Sequence, residues 1–244
     1  MSTVEKIKAL HQLSEGINPT IIYNEGWMIR LLVEESKRTG LTVRNLDFSK
    51  VNNWTSEAQI SSPFEGAELK KHKKNETKTH TDIILGDFLT KYGKSTEIEI
   101  KTSVKVLGII EAKMGSNLST GIKNATEYNQ ASRSICCLAH MTIESPECEI
   151  FFVIVAPETK IEKSKFEKQI GAVKDEIKNR FKEIGKEIER FSKEYTDEIE
   201  KKVENCKKTI ISYEDWINEI KDNDVKSELN KFYDKCKKYN KIEV

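Results

Sequence analysis

Two hydrophobic spacings divide the chain. Between residues 81 and 156 apolar side chains come mostly in short runs bounded by charges and turn residues, as in strands; before Gly40 and beyond Glu158 they recur every three or four positions, as in helices. Ile21, Ile22, Met28, Ile29, Leu31, Leu32 and Val33 give one apolar face to a predicted helix that starts after Asn18 and Pro19 and stops at Gly40. Residues 54–60 read as a strand, followed by turn signals at Ser61, Ser62, Pro63 and Gly66. Asp-Ile-Ile-Leu from Asp82, the alternating run 97–101 and the apolar run 104–113 predict three strands, antiparallel neighbours through short turns. A loop rich in Gly, Ser and Asn at 115–121 precedes a helix over 124–140, with Tyr128, Ala131, Ile135, Leu138 and Ala139 on its face. The run 150–156 is expected to close the sheet, and Pro157 to end it.

Beyond Glu158 the composition shifts to Lys, Glu and Ile or Phe. Phe166, Ile170, Val173, Ile177, Phe181, Ile184, Ile188, Phe191, Tyr195, Ile199 and Val203 form one stripe that slips off a strict heptad at 177–181 and after Phe191. It predicts a long, coiled-coil-like helix, and a second helical stretch over 213–239 that folds back on it. The fold class expected is therefore α/β: a mixed central sheet flanked by helices over 1–158, with a long-helix or helical-hairpin extension over 159–244.

Composition narrows the partners. The chain has 244 residues, and its 41 basic and 40 acidic residues nearly cancel, so any nucleic-acid surface must be local. The one basic stretch is Lys70, Lys71, His72, Lys73 and Lys74, a solvated loop or helix end. No apolar run is long enough to span a membrane and no signal segment opens the chain, so a cytoplasmic protein is expected. The 5 cysteines lack zinc-site or disulfide spacing and are expected to be reduced packing residues.

Chemistry concentrates at the end of the 104–113 run, which stops on Glu111 and Lys113. With a side-chain period of two, both leave on the same face while Ala112 points into the packing. An acidic residue two before a lysine is a weak signal alone, recurring about ten times in a chain that is 33% charged. Most instances, such as Glu176 with Lys178 or Glu200 with Lys202, are solvated helix faces. Of the two strand-like ones, Glu99 with Lys101 sits in an alternating, half-exposed strand, whereas Glu111 with Lys113 ends a nearly all-apolar run. Charges next to a core are seldom kept without a partner or a metal. If Asp82 lies at the same height on a neighbouring strand, two carboxylates can hold Mg²⁺, which keeps several of its waters.

Taken together, the helix, the strands with Asp82 and Glu111-Ala112-Lys113, the following helix and the closing strand resemble the PD-(D/E)XK nuclease superfamily over roughly residues 18–157. The resemblance implies a metal-dependent nuclease: Asp82 and Glu111 as ligands of Mg²⁺, which Mn²⁺ can replace, the Ala112 carbonyl as a further ligand, and Lys113 as the catalytic amine. An acidic residue of the first helix often completes such sites, and Glu25 suits that role better than Glu34 or Glu35. Thr81 stands where the family has its proline. Gln130 and Arg133 lie where members place polar residues facing the site, whereas Tyr128 precedes Gln130 and so departs from the RecB-like order. The implied reaction is hydrolysis of a phosphodiester, with DNA as the expected nucleic acid, Lys70, Lys71, Lys73 and Lys74 as phosphate contacts joined by Arg133, and Lys123 as an addition to them. Many stand-alone members act in restriction or phage defence, and the analogy extends that expectation here.

Two other readings stay open: a member that binds nucleic acid or protein without cutting, and an interaction protein whose residues 159–205 mediate a homodimer or bind a protein partner. Against loss of activity stands the presence together of Asp82, Glu111 and Lys113.

Overall fold

The computed structural model describes residues 1–242 except 72–74, 77, 102, 123, 185–187 and 189–190. It is an α/β protein whose sheet has seven strands: β3 (Asn53–Ile60), β4 (Thr79–Gly86), β5 (Phe88–Tyr92), β6 (Thr96–Ile100), β7 (Val106–Ala112), β8 (Glu149–Ala156) and β9 (Lys207–Ser212). Their order is β5-β6-β3-β4-β7-β8-β9, and β1 (Thr42–Val43) with β2 (Leu46–Asp47) forms a separate two-stranded ribbon.

Alternation along the central strands builds two cores. Leu107, Ile109, Phe152, Ile154 and Ala156 face one layer, made by α4 (Gln130–Met141) and the helical region after Pro157. Ile110, Ala112, Phe151, Val153 and Val155 face the other. That second layer holds α1 (Thr3–Leu13), α2 (Glu25–Thr39), α9 (Tyr213–Glu219) and α10 (Asn223–Tyr239). β8 is buried on both faces, as a central strand paired in parallel on both sides must be. Gly108 lets Phe151 lie flat over β7, since a Cβ there would come within 2.1 Å of the ring.

The order of the strands differs from the expected meander. β4 pairs directly with β7, and the hairpin β5–β6, of which β5 had no strand-like signal, is displaced to the far side of β3. β8 does not close the sheet, because β9 adds outside it, parallel. The C-terminal helical region is present, but the stripe is not one long helix. It divides into α5 (Glu158–Lys163), α6 (Phe166–Gly171), α7 (Val173–Ile184) and α8 (Lys193–Asn205). Extended backbone at Ser164 ends α5, and Ser192 caps the start of α8. Phe166, Val173, Ile177, Phe181, Ile199 and Val203 share one buried cluster with Leu107 and Phe152. Residues after 158 are thus part of the same body as those before it.

Helix starts also shift. The predicted first helix begins only at Glu25, capped by the Asn24 side chain, after a 3-10 turn at Pro19–Ile21. A helix not anticipated, α1, opens with a capping box of Ser2 and Glu5. α4 begins at Gln130, capped by Asn129, six residues later than expected.

Candidate active site at a fork in the sheet

β4 and β7 pair only from Ile83↔Ile110 to Gly86↔Leu107. Beyond that point β4 runs on with β3 as far as Thr79↔Ile60, and β7 runs on with β8 as far as Ala112↔Val155. The sheet therefore forks, and by the same register the first residues of the open end are Asp82 and Glu111.

The cause is a local switch of faces. On β3, Trp54 packs with the second layer while Ala58 and Ile60, of the same parity, belong to the first. Between them Glu57 has φ 53°, an uncommon conformation for a residue with a side chain. On β4, Ile83 and Leu85 lie in the second layer, yet Thr79 meets Cys137 of α4. Asp82, opposite Glu57, sits at this switch, so its side chain lies between the strands. The Ala112 N–H donates to Asp82 Oδ2 at 2.7 Å, the bond a backbone carbonyl of β4 would otherwise accept. N–H and C=O of one strand residue point the same way, so the Ala112 carbonyl also faces the fork.

Glu111 is buried, 1% exposed, on the α4 side. Gln130 Nε2 donates to its Oε2 at 2.6 Å, and Ser134 Oγ, one turn on, to its Oε1 at 3.4 Å. Gln130 is braced in turn: its Oε1 accepts from the Ser119 N–H at 3.3 Å, and its own N–H donates to the Ser119 carbonyl at 2.9 Å. Lys113 Nζ lies 3.4 Å from Glu111 Oε2 and 3.7 Å from Asp82 Oδ2, bridging the two carboxylates. Burial, and then the nearby charge of Asp82, push the Glu111 carboxyl up to about 8, with Lys113 pulling the other way. At neutral pH Glu111 is mostly protonated and can donate to Asp82. Charge on both carboxylates at once calls for a cation beyond Lys113.

Four expected residues thus meet at one place: Asp82, Glu111, Lys113 and Gln130. Glu25 makes no hydrogen bond or ion pair with any of the four among the described residues. It opens α2 in the second layer, and no group of three or more His, Cys, Asp or Glu side chains placed to hold a metal occurs among the described residues. Arg133 turns to the 115–121 loop, its Nη2 donating to Ser119 Oγ at 2.9 Å. Lys70 and Lys71 are exposed at the end of α3 (Ala67–Lys71), on the segment leading into the end of β4 where the fork opens. Lys73, Lys74 and Lys123 lie outside the described residues. Glu99, the rejected competitor, is on β6 in an exposed ion pair with Lys91. Ser134 and Ser119 were not anticipated; Ser134 follows Gln130 by four, the spacing of one helix face.

The donor set suits Mg²⁺: hard oxygen ligands from two carboxylates and a carbonyl aimed into the fork, with water completing the shell. No helix among the described residues is long and apolar enough to cross a membrane. Comparisons with family models, curated proteins and solved structures found no match.

Proposed function

We propose that this protein is a divalent-cation-dependent nuclease that hydrolyses phosphodiester bonds, with DNA as substrate and a role in restriction or phage defence by analogy with the PD-(D/E)XK superfamily it resembles. One observation carries the reading. Asp82 and Glu111 stand at the mouth of the same fork, with the Lys113 amine within 3.7 Å of both.

Asp82 and Glu111 would hold Mg²⁺ or Mn²⁺ with the Ala112 carbonyl, and the cation would supply positive charge against the phosphate. Gln130 and Ser134 fix the Glu111 carboxylate by bonding to different oxygens. Lys113, tethered between two acids, orients the attacking water and stabilises the negative charge it acquires, a positioning role more than that of a general base. Lys70 and Lys71, exposed at the end of α3, would contact backbone phosphates without reading bases.

The test is cleavage of labelled single- and double-stranded DNA and RNA with Mg²⁺ or Mn²⁺, wild type beside Lys113→Ala. Loss of one preorganised hydrogen-bond donor to a developing negative charge typically costs about 10²–10³-fold in rate, and a drop of that size is expected. A wild type that cuts none of these substrates refutes the nuclease reading and leaves a fold that binds without cutting; a variant that cuts equally well shows that the cleavage does not come from this site.

A further inference from the structure

The fork has a second side, built by the C-terminal part of the chain. β7, β8 and β9 are parallel, and their ends are aligned: Ala112 pairs with Val155, and Val155 with Ile211. Tyr213 follows β9 directly and opens α9, so it stands at the same end of the sheet as Lys113. Its ring is wholly buried in the second layer, in one cluster with Ala112 and Met114.

Packing carries Tyr213 to the start of α2. Its ring lies 5.3 Å from that of Tyr233 on α10; one turn further along, Cys236 Sγ lies 3.8 Å from the carbonyl of Asn24, the residue that caps α2 just before Glu25. The hydroxyl has no hydrogen-bond partner among the described residues. Burial first, then the charge of Glu25 and, after Cys236, that of Asp82 raise its affinity for its proton, so both carboxylates lie within electrostatic reach of the ring's hydroxyl. Buried hydroxyls are rarely left unsatisfied, because the loss costs about 1–3 kcal/mol. Phenylalanine would fill the same space without that cost, so packing alone does not account for a tyrosine here.

We infer that Tyr213 is a positioning residue of the candidate site: its hydroxyl orders the ligand shell of Asp82 from the second-layer side of the fork. The inference rests on the nuclease reading for its chemistry, but not for its test. The site then spans both layers, Gln130 and Ser134 holding Glu111 from one and Tyr213 supporting Asp82 from the other.

Tyr213→Phe removes one oxygen and little else. Mn²⁺ affinity, read from the free-ion EPR signal, is measured for wild type, Tyr213→Phe and Asp82→Asn, together with thermal midpoints and cleavage kinetics. Expected are a several-fold weaker Mn²⁺ affinity in Tyr213→Phe, a larger loss in Asp82→Asn, an unchanged or higher midpoint for Tyr213→Phe, and a roughly tenfold lower kcat at unchanged KM for the nucleic acid, the pattern of an interaction made only in the transition state. A Tyr213→Phe protein that binds Mn²⁺ as wild type does makes Tyr213 a packing residue and overturns the inference. Wild type that binds Mn²⁺ but cuts nothing refutes the nuclease reading alone, and the affinities still decide Tyr213. Wild type that binds no Mn²⁺ overturns both.

Discussion

At the residue scale the decisive group is Glu111, a carboxyl forced into the core beside another acid. Its folded-state value, pushed up to about 8, lies above the ordinary 4.5. The folded protein therefore binds more protons than the unfolded chain between these values, and stability falls as pH rises through that window. The contribution is fully present below about pH 4.5 and lost above about pH 8. Urea midpoints of the metal-free protein from pH 5 to 8.5 should decline, and in Glu111→Gln the decline should be distinctly shallower; an equal slope would show that Glu111 ionises freely in the fold. The same residue shows what could be read from a string of letters. Glu111 was separable from Glu99 because the run before it is nearly all apolar, and burial of that run is what raises its affinity for a proton. Tyr213 was not separable from any other aromatic on a helical face, since its meaning depends on the missing partner of one oxygen.

At the scale of elements, local signals were legible and pairings were not. Apolar runs located β4, β7 and β8, alternation located β6, turn signals after residue 60 bounded β3, and caps locate α2 and α4 once Asn24 and Asn129 are recognised. Nothing local says that β4 adjoins β7 while β5 and β6 lie beyond β3, because that order is set by which faces the layers can cover. The fork was invisible for a sharper reason: it arises where strict period-two alternation fails, at Glu57 and Asp82. Elements also transmit position to the site. Asn129 accepts from the Ser132 N–H at 3.1 Å and donates to the Gln169 carbonyl at 3.1 Å, tying the start of α4 to α6 immediately before Gln130. Asn129→Ala should cost about 1–2 kcal/mol, as lost N-caps do, seen as a lower thermal midpoint. Cleavage should fall by more than Ser132→Ala lowers it, because Gln130 loses its fixed approach to Glu111. Equal effects of the two substitutions would mean that the cap serves the helix alone.

At the scale of the whole molecule, residues after 158 cannot be regarded as an appendage. They supply β9, much of the first layer and half of the second, including Trp216, whose indole N–H donates to Ser36 Oγ at 2.9 Å. A fragment of residues 1–158 should therefore lack a cooperative thermal transition by circular dichroism and expose apolar surface to a fluorescent probe. A sharp unfolding transition would instead show that the sheet stands without its last strand. The stripe after Glu158 looked like a separate helix because amphipathic spacing records that a face is buried, not what buries it. The second layer also sets a clock on synthesis. It joins the first forty residues to the last thirty, as where the Asn240 side chain donates to the Tyr23 carbonyl at 2.8 Å. Until the ribosome has delivered those last residues, one face of β4, β7 and β8 is only half covered and the Asp82 side of the fork lacks Tyr213. During that interval the chain carries an apolar sheet face not yet covered by α9 and α10, the kind of transiently exposed surface that invites association with other chains.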